Sequence, residues 1–142
     1  MILLSDDRIS LDVNVIDAND AIEKAGLCLL EAGYIEEKYI GAMKKNYADN
    51  GPYFVLAPHF AMPHARPEDG VKKSGFSLIT ISNPVSFGNY NDPVRVVMAL
   101  ATSTADEHIE YMSKVARILG RKGVINNIYT SKSKEEIMSI FS

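Results

Sequence analysis

Apolar residues recur at helical spacing early in the chain. Ala18, Ala21, Ile22, Ala25, Cys28, Leu29 and Ala32 fall on one face, and Gly33 suits a C-terminal stop. An amphipathic helix is therefore predicted from about Asp17 to Gly33. A second helix is predicted over about Glu36 to Ala48. Tyr39, Ile40, Met43 and Tyr47 share a face, and Glu36 and Glu37 precede Lys44 and Lys45 in the sense that suits the helix dipole. Asp49-Asn50-Gly51-Pro52 reads as a turn. The period then changes. Tyr53 to Ala57, Phe76 to Ser82 and Val94 to Thr102 are nearly continuous apolar runs and read as buried strands, the last two rich in β-branched residues. Pro58, Pro63 and Pro67 exclude a long helix or a central strand across Ala57 to Asp69.

Helix returns near Asp106. Thr104-Ala105-Asp106-Glu107 fits a capping box, with Thr104 as N-cap and Glu107 three residues on. Ile109, Met112, Val115, Ala116 and Leu119 form the expected apolar stripe, ended by Gly120 or Gly123. Ser133-Lys134-Glu135-Glu136 repeats the cap before Ile137, Met138, Ile140 and Phe141. The order helix, helix, strands, helix, helix predicts one compact α/β domain over residues 1–142, a mixed β-sheet flanked by helices.

Composition narrows the function. The 142 residues are 46% hydrophobic and 23% charged, which excludes a disordered tail, a collagen-like repeat and a small disulfide scaffold. A net charge of −3 counts against a nucleic-acid binder. Cys28 is the single cysteine, so no intramolecular disulfide can form, and its apolar neighbours suggest a small buried hydrophobe. No basic and apolar leader follows Met1 and no apolar run approaches the ~18 residues of a membrane span, so a cytoplasmic protein is expected.

The candidate chemistry lies with His59, His64 and His108. His64 sits in Ala61-Met62-Pro63-His64-Ala65-Arg66-Pro67, where the prolines restrict the backbone and a guanidinium is close by. It is either a held, reactive imidazole or a histidine in a Pro-rich surface loop. His108 opens a helix, where unpartnered N–H groups favour anions; the alternative is a histidine on the helix's core edge. The spacing of the histidines fits no local metal-ligand pattern, and neither a Gly-x-Ser-x-Gly elbow nor a phosphate-binding Gly-x-x-x-x-Gly-Lys loop occurs. No metal and no cofactor is expected.

Gly51-Pro52-Tyr53, Ala57-Pro58 and Ala61-Met62-Pro63-His64-Ala65-Arg66-Pro67-Glu68-Asp69-Gly70-Val71 resemble the phosphorylation-site segment of enzyme IIA domains of the bacterial sugar phosphotransferase system. The likeness is to the mannitol/fructose type, nearest its ascorbate- and galactitol-like branch. Tyr39-Ile40-Gly41-Ala42-Met43, Pro84-Val85-Ser86-Phe87-Gly88, Pro93-Val94 and His108 add to it. The resemblance implies that His64 takes a phosphoryl group from phosphorylated HPr and passes it to a cysteine of a cognate IIB component, which serves a IIC permease. It implies that His108 stabilises the transferring group. Two departures stand out. His59 occupies a position usually held by glycine. Lys44-Lys45-Asn46 lies where mannitol-type members carry an arginine, which leaves Arg66 as the expected phosphate partner.

The chemistry is reasonable for an imidazole. Its ordinary pKa of ~6.5 leaves a neutral nucleophilic nitrogen near pH 7. Phosphoryl transfer asks the protein mainly to position the group and stabilise its charge. The resemblance implies that Nε2 is the acceptor; Nδ1 should bond a carbonyl or hydroxyl, which would fix the tautomer. Phe60 and Met62 flank the motif and are either docking residues or core. Two other readings are a regulatory module whose phosphorylation state a partner reads, and a metal-dependent small-molecule enzyme.

Overall fold

A computed structural model of the chain describes residues 3–142. Strands β1 (Ile9–Val13), β2 (Phe60–Ala61), β4 (Leu78–Val85) and β5 (Val94–Val97) form one sheet in the order β1-β4-β5-β2. β1 runs parallel to β4, β4 antiparallel to β5, and β5 parallel to β2, so the sheet is mixed. The short strands β3 (Gly75–Phe76) and β6 (Leu100–Ala101) pair antiparallel beside it.

Helices cover both faces. α1 (Ala18–Glu31) and α2 (Glu37–Asn50) bury Ile22, Leu29, Ile40 and Met43 against Ile79, Ile81 and Val97. α3 (Ala105–Leu119), α4 (Val124–Thr130) and α5 (Lys134–Ile140) bury Val115, Ile118, Ile128 and Ile137 against Leu78, Val96 and Met98. The period of two along a strand sends Leu78 to one core and Ile79 to the other, which is why the strands read as continuous apolar runs. α1 and α2 approach closely at Gly26, where a Cβ would lie 2.7 Å from Cγ1 of Ile40.

The predicted caps form. Thr104 Oγ1 accepts from the Glu107 N–H at 3.1 Å, and Ser133 Oγ from that of Glu136 at 3.2 Å. Several expectations are corrected. Tyr53 to Ala57 is a turn and not a strand: Phe54 and Val55 are buried, Tyr53 and Leu56 are exposed, and the Val55 N–H donates back to Pro52 O at 3.1 Å. The run is apolar because its middle plugs the core beside Tyr47 and Phe87. The stripe of α3 is turned from the expected one, with Ile118 buried while Ile109 and Ala116 are exposed. α2 continues through Asn50, into the expected turn. Cys28 is half-buried, its Sγ 3.5 Å from Ser10 Oγ. Phe60 and Met62 are core at 0% and 1% exposure, and so cannot serve as docking residues.

Candidate functional site

His64 directly follows Pro63, just beyond the end of β2. Its backbone is stitched to β6 from two sides. The Leu100 N–H donates to Pro63 O at 3.0 Å, and His64 pairs with Leu100 in parallel register. On the other side the Tyr39 hydroxyl, arriving from α2, accepts from the Ala65 N–H at 2.9 Å and donates to Leu100 O at 2.7 Å. Tyr39 is fully buried, and burial raises its ionisation above the ordinary tyrosine range, so the hydroxyl keeps its proton.

The imidazole has a defined tautomer. Nδ1 lies 3.0 Å from Met62 O. A carbonyl only accepts, so Nδ1 carries the hydrogen and Nε2 presents its lone pair. Nε2 faces the Tyr53 hydroxyl at 3.4 Å. Asn46 Nδ2 donates to that hydroxyl at 2.7 Å and to His64 O at 3.0 Å, and Asn46 Oδ1 accepts from Asn50 Nδ2 at 2.6 Å. Burial lowers the pKa of His64 below its ordinary value; the Met62 carbonyl opposes this, and the neighbouring His108 adds a smaller lowering. His64 is therefore neutral at pH 7.

The first turn of α3 brings His108 alongside. The two imidazole centroids are 5.1 Å apart, with the rings inclined at 59°. Both rings open on a cavity of about 830 Å³ that is also lined by Asn46, Tyr53, Arg66 and Thr104. Arg66 stands on its rim, 78% exposed, with Nε 3.5 Å from Glu68 and 3.8 Å from Asp69. Lys45, on the α2 side, is 2.6 Å from Asp49. Lys44 turns away to pair with Glu23. From the stretch Lys44-Lys45-Asn46 it is thus the uncharged Asn46 that reaches His64.

His59 lies apart from the cavity lining. Its φ is +69°, in the left-handed region that favours glycine, and its Nδ1 is 2.8 Å from Pro93 O. It starts β2 by taking the Arg95 and Val96 N–H groups on its own carbonyl. Among the described residues no three His, Cys, Asp or Glu side chains converge as a metal ion requires. Sequence reasoning missed Asn46 and the hydroxyl of Tyr39 as parts of the site, and it placed Tyr53 in a strand. The signal for Tyr53 was its position just after Gly51-Pro52, where a turn can aim an aromatic side chain outwards.

The structure is an α/β domain in which a neutral imidazole, its Nδ1 held by Met62 O, lines an open cavity beside a second histidine. Residues 2–142 match the family described as phosphoenolpyruvate-dependent sugar phosphotransferase system, EIIA 2, and the chain belongs to that family. Its members are phosphotransferase components that relay phosphoryl groups in sugar uptake, working with HPr and IIB components. An ascorbate-specific EIIA component of Shigella boydii is 33% identical over 123 residues, 85% of this chain and 80% of that one. The solution structure of the mannitol-specific cryptic enzyme IIA of Escherichia coli superposes with a TM-score of 0.88 at 34% identity, covering 99% of this chain and 95% of the other. The mannitol enzyme IIA of Escherichia coli, solved in complex with phosphorylated enzyme IIB, gives 0.85 at 26% identity over 97% and 96% of the two chains. No helix among the described residues is long and apolar enough to cross a membrane.

Proposed function

We propose that His64 Nε2 accepts a phosphoryl group from a phosphorylated histidine of HPr and passes it to a cysteine of a cognate IIB component. The observation that carries this reading is the Nε2 lone pair turned into the cavity while Nδ1–H is held by Met62 O. The balance of the first step is simple. The Nε2 lone pair forms the new N–P bond as the donor's N–P bond breaks, and that electron pair returns to the donor's ring nitrogen. The Nδ1 proton stays where it is, shared with Met62 O.

His108 stabilises the charge spread over the phosphoryl oxygens, and its position at the start of α3 adds the partial positive end of the helix. Arg66 contributes from the rim, where its exposed guanidinium leaves the exposed Glu68 and the half-buried Asp69 when the group arrives; ion pairs at such an exposed guanidinium are worth about 0–1 kcal/mol. Ile109 and Tyr53, 64% and 49% exposed at the cavity, supply apolar contact for transient partners. The reacting partners are proteins, so the sugar does not touch this site.

The test is incubation with phosphoenolpyruvate, enzyme I and HPr, followed by intact mass. One added phosphoryl group, lost in acid, is expected, and an unchanged mass contradicts the reading. Addition of the cognate IIB should then return the mass to its starting value.

A further inference from the structure

His64, as the acceptor proposed above, needs a lone pair that is aimed yet releasable, and the geometry around Tyr53 supplies one. Asn46 donates to the Tyr53 oxygen at 2.7 Å, so the hydrogen of that hydroxyl is directed away from Asn46. The acceptor it faces is His64 Nε2, whose lone pair is free because Nδ1 holds the ring's hydrogen. The separation of 3.4 Å lies beyond the usual range for such a bond. A bond near 2.8 Å would compete with the incoming phosphorus, whereas this one orients the ring and gives way.

The charges around the cavity sharpen the point. The lining cations, Lys45 and Arg66, are each engaged by carboxylates. A doubly negative group arriving at Nε2 therefore meets Tyr53 and His108 first. Tyr53 reaches the ring edge-on, with centroids 5.8 Å apart and planes at 89°, which places its hydroxyl next to the nitrogen and not over the ring face. Asn50 fixes the orientation of the Asn46 amide by donating to its oxygen, so both Asn46 N–H groups remain for Tyr53 and His64.

We propose that Tyr53 is a hydrogen-bonding residue of the transfer step and Asn46 its positioning residue. At rest the Tyr53 hydroxyl caps the Nε2 lone pair; as the N–P bond forms, it turns to a phosphoryl oxygen. The Tyr53 proton stays on its own oxygen throughout, and no proton is lost from the site.

The experiment uses Tyr53→Phe in the full chain, with two readouts. In the unphosphorylated protein, the ¹⁵N resonance of His64 Nε2 should move downfield as its hydrogen-bond donor is removed. In single turnover from phosphorylated HPr, the maximal rate should fall about three- to tenfold, the weight of one hydrogen bond, with the donor concentration for half-maximal rate unchanged. Asn46→Ala should move the same resonance by a smaller amount. Tyr53 is half-exposed, so its Phe variant should keep the circular dichroism of the parent. An unmoved resonance overturns the proposal, as does a moved resonance with an unaltered rate. If the parent protein gains no phosphoryl group, the acceptor reading fails by itself, while the resonance still decides whether Tyr53 caps Nε2.

Discussion

Tyr39→Phe isolates the clamp that holds the candidate acceptor. The substitution keeps the buried ring and deletes one oxygen. That oxygen links the Ala65 N–H at 2.9 Å to Leu100 O at 2.7 Å, beside the point where His64 pairs with β6. Without it, Leu100 O loses its partner in a fully buried place, and the Ala65 N–H loses its partner in a half-buried one. An unsatisfied buried polar group costs about 1–3 kcal/mol, and a group that water can reach costs less. The sum is about 2–4 kcal/mol. For a chain of this length that corresponds to a fall in melting temperature of roughly 6–15 °C. The backbone on either side of His64 loosens at the same time, so phosphoryl acceptance should slow about tenfold or more, because misplacement by ~1 Å costs ~10²-fold. The assay pairs thermal unfolding with the single-turnover rate. Tyr47→Phe is the control: its hydroxyl also donates to a carbonyl, Phe87 O at 2.7 Å, but Phe87 does not line the cavity. It should lose about 1 kcal/mol and leave the rate alone. A loss below about 0.5 kcal/mol in Tyr39→Phe, with a normal rate, would refute the clamp.

Three other outcomes follow from the same geometry. The folded pKa of His64 lies below its ordinary 6.5, so the unfolded chain takes up the proton first as pH falls; stability from this group, complete above about pH 6.5, should decline below it, while phosphoryl acceptance stays level through pH 6.5 and drops only at lower pH. Denaturant titrations and initial rates across pH 5–8 check both signs. His108→Gln should still accept the group but pass it slowly to IIB, and the His64 pKa, followed by NMR titration, should rise because one source of lowering is gone. At position 59, with φ at +69°, Ala should be less stable than Gly by about 1 kcal/mol, since Ala keeps the strained backbone and both lose the bond to Pro93 O; equal stabilities would show that no strain is held there.

The parts of the fold that could be read from the sequence are those with a strong local rule. The face of α1 follows the 3.6-residue period, and the starts of α3 and α5 follow their Thr104 and Ser133 caps. β1 escaped notice because Asp12 and its irregular pairing break the alternation, with φ at +52° and its N–H taken by Thr80 Oγ1. α4 escaped because it is seven residues long and starts at Gly123 without a side-chain cap. Tyr53 to Ala57 misled because burial of Phe54 and Val55 looks the same in a turn as in a strand. The motif around His64 stood out locally and His108 by its helix start, yet their approach to 5.1 Å is a product of sheet topology. Asn46 and the Tyr39 hydroxyl were invisible for the same reason: their partners lie 18 and 61 residues away along the chain.

The phosphoryl group should sit on one nitrogen, Nε2 of His64. Protein labelled with ¹⁵N in its histidines, phosphorylated through enzyme I and HPr, should show a single ¹⁵N–³¹P coupling, on Nε2 of His64, with Nδ1 still protonated and bonded to Met62 O. The His64→Gln variant should show none while keeping its fold. Phosphorus on Nδ1, on His108 or on His59, or undiminished labelling of His64→Gln, would contradict the account.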